Sequence, residues 1–248
     1  MEHISKSQIK YIKGLQIKKN RDEHCVFVAE GEKCISELLK RYSADLLVSS
    51  VPTMLPVTHS ATEEELSQMS SLRTPQGVLG VFKMPSHELC KIDEKLVVVL
   101  DGVQDPGNLG TIIRTCDWFG VHDVVCSKTT ADCFNPKVIQ STMGSLARVR
   151  VYYTDIVTWL HQQDCPIYGT LLDGEDMYEV LTTSRIKSEH TRVIVVMGNE
   201  GNGLSTAVRQ CVTHAVRIPS YPDGAETCES LNVSIATAII LSTFRHLS

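Results

Sequence analysis

Two runs of five apolar residues, Leu96-Val97-Val98-Val99-Leu100 and Val193-Ile194-Val195-Val196-Met197, constrain this chain more than any other feature. Neither alternates with polar residues, so neither suits a strand with one face in water. Both read as strands covered on two sides, which is the condition of a parallel sheet. Further strands are expected at Asp123–Cys126, Val149–Val151, Ile167–Leu171 and Ala215–Ile218, with helices between them and a last helix from about Leu231 to Phe244. Such alternation predicts an open α/β sheet, whose ligands sit beyond the carboxyl ends of its strands.

Residues 1–85 carry a different pattern. A basic helix leads to a strand at Cys25–Ala29, a helix at Glu32–Arg41, a strand at Ala44–Val48, a helix near Glu63–Met69 and a strand at Val78–Phe82. These make a small α/β unit. The polar, Pro-containing stretch Lys83–Glu88 separates the two patterns, so the expected division is a domain at 1–85, a linker at 86–94 and a domain at 95–248.

Composition narrows the function. No apolar run reaches the ~18 residues of a membrane span, and the stretch from Met1 to Lys6 has no signal-peptide core. A cytoplasmic protein without membrane attachment is expected. The nine Cys show no C-x-x-C spacing and there is no His pair at zinc-ligand intervals, so reduced packing thiols and no metal are expected. The net charge of −5 does not suggest a nucleic-acid binder. Locally the picture reverses: Lys6, Lys10, Lys13, Lys18, Lys19 and Arg21 follow one another with no acid among them, a segment suited to phosphates or to a solvated helix face.

Three polar clusters each follow an expected strand: Asn108-Leu109-Gly110-Thr111-Ile112-Ile113-Arg114, Gly198-Asn199-Glu200-Gly201-Asn202-Gly203-Leu204, and Ile218-Pro219 with Glu229-Ser230-Leu231-Asn232-Val233-Ser234. Asn at the mouth of an apolar helix is a poor packing choice but suits the first turn, where N–H groups are free. Read without further information, Asn108 is a helix cap and Arg114 a surface ion-pair partner. The second cluster lacks both the GK[ST] of a phosphate loop and the G-x-G-x-x-G pattern, which argues against a nucleotide-dependent dehydrogenase. The three clusters together imply one site assembled from three loops.

Their order and wording resemble the SpoU (TrmH) family of RNA 2′-O-ribose methyltransferases, of the SPOUT class. The matching motifs are Asn108-x-Gly110-x-x-x-Arg114 continued by Phe119-Gly120, then Gly198-Asn199-Glu200-Gly201-x-Gly203-Leu204, then Ile218-Pro219 with Ser230-Leu231-Asn232-Val233-Ser234-x-Ala236. Ser141-Thr142-Met143-Gly144-Ser145 and Thr74-Pro75-Gln76-Gly77-Val78 match as well. The segment Ser220–Cys228 is longer than the family's usual turn.

The resemblance implies a parallel-sheet C-terminal domain with a deep trefoil knot, preceded by a small α/β RNA-binding domain, and a homodimer with its site near the subunit interface. It implies S-adenosylmethionine held by Thr170, Leu171, Gly198, Asn199, Gly201, Ile218 and Leu231, and a functional set of Asn108, Arg114, Glu200, Ser230 and Asn232. The implied substrate is RNA, ribosomal in preference to transfer RNA. Guanidinium does not readily lose a proton in a protein, so Arg114 is expected to clamp a phosphate and stabilise the forming oxyanion rather than act as base. Glu200 is expected to orient backbone or Arg114. The alternative is a non-catalytic knotted RNA-binding protein acting in ribosome assembly, against which the intact set argues. His59, His87, His122, His161, His190 and His214 match no motif, Cys116 and Cys126 read as core, and Trp118 and Phe119 are expected to pack their helix onto the sheet.

Overall fold

The computed structural model describes residues 1–85, 92, 94–183, 192–221 and 228–247. Most of the expected linker, His87, His190 and the middle of the Ser220–Cys228 segment lie outside the described residues. The chain divides into two compact units, Met1–His87 with Asp132–Arg148, and Glu88–Ala131 with Val149–Ser248.

The first unit begins with β1 (Glu2–His3), α1 (Lys6–Gly14), α2 (Lys18–His24), β2 (Val26–Glu30), α3 (Glu32–Leu38), β3 (Ala44–Ser49), β4 (His59–Ser60), α4 (Glu63–Met69) and β5 (Val78–Lys83). Its sheet runs in the order β1-β4-β3-β5-β2. The pairs β1–β4 and β4–β3 are parallel, while β5 is antiparallel to both β3 and β2. Two helices start on reciprocal caps. Ser5 accepts from Gln8 N and Gln8 Oε1 accepts from Ser5 N, and Thr62 and Glu65 repeat the arrangement on α4. Ile9 and Ile12 of α1 and Leu66 and Met69 of α4 bury against Val26, Val28, Leu46, Val48, Leu79 and Val81.

The second unit is built on β6 (Leu96–Leu100), α5 (Pro106–Trp118) and β7 (Asp123–Ser127). The chain then contributes α6 (Pro136–Thr142) to the first unit, where Phe134 stacks on Phe27 at 4.8 Å and Tyr42 donates to the Leu146 carbonyl at 3.0 Å. The close fit needs Gly144: at φ +90 it has no Cβ, and one placed there would meet Glu37 Cβ at 2.6 Å. The expected domain at 95–248 thus lends Asp132–Arg148 to the first unit.

The second unit resumes with β8 (Arg150–Thr154), α7 (Ile156–His161), β9 (Ile167–Asp176), α8 (Met177–Thr183), β10 (Val193–Met197), α9 (Thr206–Arg209), β11 (His214–Arg217) and α10 (Val233–Leu247). All five strand pairs are parallel, in the order β11-β9-β10-β6-β7-β8. The unbroken apolar runs occupy the two central positions, β10 and β6, and Val97–Leu100 and Ile194–Val196 are fully buried. Cys116 and Cys126 are also fully buried.

Helices α5 and α10 pack side by side. Arg245 near the end of α10 donates to the Phe119 and Gly120 carbonyls at 2.6 and 2.7 Å, while Asn232 before α10 reaches Asn108 in the first turn of α5. The pair is therefore parallel, with both amino ends at the carboxyl edge of the sheet.

Candidate functional site

At the carboxyl ends of β6 and β10 the chain makes two tight connections that meet. Asp105 caps α5, its Oδ1 accepting from Asn108 N at 2.9 Å, with Pro106 as the first helical residue. Asn199, just beyond β10, folds its own loop: its Oδ1 accepts from Gly201 N and Asn202 N at 2.9 and 3.0 Å. Its Nδ2 crosses to the Gly102 carbonyl at 2.7 Å. Gly198 makes room for this, because a Cβ there would collide with the Gly203 carbonyl carbon and lie 2.5 Å from Leu204 N.

A chain of hydrogen bonds then joins all three clusters. Glu200 accepts from the backbone N–H groups of Gln104 and Asp105 at 3.3 Å each, and from Asn108 Nδ2 at 3.0 Å. Asn108 Oδ1 accepts from Asn232 Nδ2 at 2.9 Å. Asn232 Oδ1 in turn accepts from Ser234 N, Ser234 Oγ and Ile235 N at 2.9, 2.6 and 3.4 Å, which caps α10. Each amide has its direction set by its neighbour: the carboxylate can only accept, the first turn of α10 can only donate, and the two Asn side chains fit between in one orientation. A charged acceptor at one end and free helix N–H groups at the other polarise the chain.

The sequence reading needs three corrections here. Asn108 is not the cap of α5; Asp105 is, and this frees the Asn108 amide to bridge Glu200 and Asn232. Trp118 does not pack onto the sheet: it is 85% exposed at the end of α5. Arg21 does not face solvent with the other cations, being 1% exposed and paired with Asp132. Glu200 accepts from two backbone N–H groups and, among the described residues, forms no hydrogen bond or ion pair with Arg114.

The remaining candidates sit at the same edge. Thr170 and Leu171 lie on β9, half-buried, with Thr170 Oγ1 donating to the Val196 carbonyl at 3.2 Å. Ile218 follows β11, half-buried, and Leu231 is 45% exposed just before α10. Gly201 is in the exposed Asn199 loop. Arg114 and Ser230 are exposed, and neither forms a hydrogen bond or ion pair among the described residues. Among the described residues Arg114 is therefore not an ordinary surface ion-pair partner. Six residues beyond Asn108, it stands roughly 9 Å along α5 and about 120° around it, on the exposed stripe of Thr111, Arg114 and Trp118. A cavity of about 360 Å³ lined by Glu175, Asp176, Glu179, Arg217, Pro219 and Tyr221 adjoins Ile218. Asp105 and Gln104 escaped the sequence reading, although Asp-Pro ahead of an apolar period is a start signal that would have flagged the first.

The chemistry of this edge suits an adenosyl sulfonium ligand, with backbone free of a Cβ at Gly198 and apolar side chains at Leu171, Ile218 and Leu231. Among the described residues no group of three or more His, Cys, Asp or Glu could hold a metal ion.

Comparison with known proteins identifies the family. Residues 95–242 match the SpoU rRNA Methylase family, and residues 6–80 match an MRM3-like substrate binding domain. The chain is 30% identical to the 23S rRNA (guanosine(2553)-2′-O)-methyltransferase RlmP of Bacillus subtilis, over 99% of this chain and 98% of that protein. Among solved structures, a TrmH-family chain from Porphyromonas gingivalis superposes with a TM-score of 0.85 at 36% identity, covering 99% of each chain. The AdoMet-bound rRNA methyltransferase of Sinorhizobium meliloti superposes with a TM-score of 0.83 at 28% identity, covering 99% of this chain and 97% of its own. With its three motifs joined at one edge of a parallel sheet and these relatives matched from end to end, the chain belongs to the SpoU rRNA methylase family.

Proposed function

We propose that the chain transfers a methyl group from S-adenosylmethionine to the 2′-hydroxyl of one ribose in ribosomal RNA. The observation that carries this reading is the hydrogen-bonded chain from Glu200 through Asn108 and Asn232 to α10, which draws the ends of β6 and β10 and the start of α10 into one place.

The cofactor supplies an electrophilic methyl on a sulfonium. The task left to the protein is alignment, since the attacking oxygen, methyl carbon and sulfur must lie in line. Gly198, Asn199 and Gly201 offer backbone for the cofactor tail, while Thr170, Leu171, Ile218 and Leu231 flank the adenosine. Asn108 and Asn232 are held by Glu200 and by the α10 amino end, so their positions are fixed before substrate arrives. Ser230 lies two residues from Asn232 and is available to the ribose. Arg114, with no partner among the described residues, clamps the phosphate next to the target ribose and stabilises the attacking oxygen as its 2′-proton passes to solvent water. Glu200 is occupied by N–H donors and serves as the anchor, not as the proton acceptor.

The same reading takes the backbone from β9 to α10 as a deep trefoil knot, an exception to the rule that chains avoid knots. Support comes from the strand order: β10 returns between β9 and β6, β11 goes back outside β9, and α10 ends beside α5. It also takes two copies to pair through α5 and α10, where Trp118, Leu231 and Ile235 are 85, 45 and 52% exposed. A cytoplasmic location belongs to the proposal; among the described residues no helix is long and apolar enough to cross a membrane.

The test is transfer from labelled S-adenosylmethionine to RNA from a strain lacking this gene, fractionated into ribosomal and transfer pools. Label at one alkali-resistant site in the ribosomal pool is expected. Label confined to transfer RNA would overturn the substrate assignment, and none in either pool would overturn the activity.

A further inference from the structure

Arg21 is buried for a reason that concerns its neighbours. Its Nη1 donates to the carbonyls of Leu15 and Gln16, each at 2.9 Å, and its Nη2 to Asp132 Oδ2 at 2.6 Å. Asn20 Nδ2 takes the Gly14 carbonyl at 2.8 Å. Three successive carbonyls at the end of α1 are thus held by two side chains of α2. Carbonyls at a helix end otherwise turn to water, so the junction is a braced elbow. Its cost is the buried Arg21 Nε, which has no partner among the described residues.

The brace holds an apolar side chain outward. Ile17 is 60% exposed at the tip of the elbow. Lys13, Lys18 and Lys19 are exposed around it, and among the described residues Lys18 alone of them is paired, with Asp22 at 2.6 Å. Lys6, Lys10 and Lys13, spaced four and three apart, run along an exposed face of α1 about 100° round from the buried Ile9 and Ile12. Gln16 Nε2 donates to the Ser70 carbonyl at 3.1 Å and so ties in the loop that carries exposed Arg73. That loop is itself anchored by Glu30, 4% exposed, which accepts from Ser70 Oγ at 2.6 Å and Ser71 N at 2.8 Å.

An exposed apolar tip ringed by cations does nothing for the core. It matches a polyanion whose bases are free to turn inward, since cations hold the backbone of a single strand while an unpaired base can bury its apolar face against an aliphatic side chain. We propose that the α1–α2 elbow is a contact surface for single-stranded RNA, with Ile17 against one unstacked base and Lys13, Lys19 and Arg73 on the flanking phosphates. Arg21 and Asn20 are positioning residues for it. The inference rests on RNA being the substrate and adds which form of RNA is gripped and where. A paired strand offers phosphates but no free base face.

The experiment measures binding of a labelled oligouridylate and of an RNA duplex of equal length to the full chain across a salt series. Lys13→Glu with Lys19→Glu is expected to weaken oligouridylate binding at least roughly tenfold and to flatten the log–log salt slope by about 1.4, at about 0.7 per lost phosphate contact. Ile17→Ala is expected to cost roughly fivefold on the single strand through lost apolar contact area, with the salt slope and duplex affinity unchanged and with Ile17→Met recovering most of the loss. Lys95→Glu, an exposed change in the second unit, serves as the control and leaves both affinities as they were. Elbow variants that bind like the parent, while the parent binds and methylates RNA, overturn the inference and leave the proposed function standing. An equal loss on duplex for Ile17→Ala overturns the base contact. A parent that neither binds RNA nor transfers methyl overturns both.

Discussion

The two ends of the parallel sheet use polar residues in opposite ways. At the amino end, Asp123, 1% exposed, holds Arg150 through two bonds of 2.6 and 2.8 Å, and Glu94 lies 3.7 Å from the same guanidinium. The charges of this trio answer one another, and Asp123 holds the guanidinium firmly protonated. At the carboxyl end the only carboxylate of the amide chain, Glu200, is met by N–H groups, and Arg114 and Ser230 face solvent without partners among the described residues. A closed pair stabilises the fold and has nothing left for a ligand. An open, pre-oriented set does the reverse, holding its geometry for a molecule that is yet to arrive.

If this contrast is right, damage at the two ends should be read by different instruments. The largest effect is expected from Arg114→Ala, which should lower kcat on the order of 10²–10³-fold while leaving the thermal midpoint unmoved. Arg114→Lys should recover little of it, since one ammonium cannot make the bidentate contact; full activity at neutral pH would sink the phosphate-clamp role. Next comes Asp123→Ala, expected to cost about 2–3 kcal/mol by denaturant titration, less than for a fully buried pair because Arg150 is 42% exposed. Its kcat at a permissive temperature should match the parent. A catalytic defect there, with stability intact, would erase the distinction between the ends.

Gly198→Ala tests the carboxyl end from within. The added Cβ must push Gly203 and Leu204 away, so a loss of roughly 1–3 kcal/mol and a weakened affinity for S-adenosylmethionine by calorimetry are expected together. The smallest effect belongs to a region remote in role from both ends. Burial pushes the Cys34 thiol up to about 11 and the Tyr42 phenol up to about 12. Both groups are neutral in the fold and ionise more readily when unfolded, so their contribution is complete below pH ~9 and declines as pH rises towards the folded values. Stability should fall by about 1–2 kcal/mol between pH 8 and 10, and Cys34→Ala with Tyr42→Phe should flatten that slope.

Much of the second unit was legible because it needs unbroken apolar strands, and Leu96–Leu100 and Val193–Met197 have no other use. Strands β1 and β4 escaped notice since two residues carry no periodicity and owe their pairing to neighbours distant in sequence. The association of Asp132–Arg148 with the first unit is likewise a long-range event; nothing near Phe134 announces that it will stack on Phe27.

At the site, sequence pattern identified the three clusters but not how they interlock. Asn108 reads as a cap because Asn commonly is one, and only Asp105 taking that role shows what the amide is free to do. Arg21 and Trp118 failed for a shared reason: residue type predicts average burial, and each departs from its average. Arg21 is drawn inward by carbonyls and Asp132 that only folding brings near. Trp118 ends a helix whose inward stripe is already filled by Leu109, Ile112, Ile113 and Cys116.

The most direct test is a single transfer assay run on three proteins: the parent, Arg114→Ala and Asp123→Ala, each with labelled S-adenosylmethionine and unmodified ribosomal RNA, below the melting range of the least stable. The parent and Asp123→Ala are predicted to methylate one ribose at equal rates, with Arg114→Ala at least about 100-fold slower. An Arg114→Ala rate equal to the parent's, or no transfer by a parent that binds the cofactor, would contradict the account; the second result would favour a knotted RNA-binding protein of ribosome assembly.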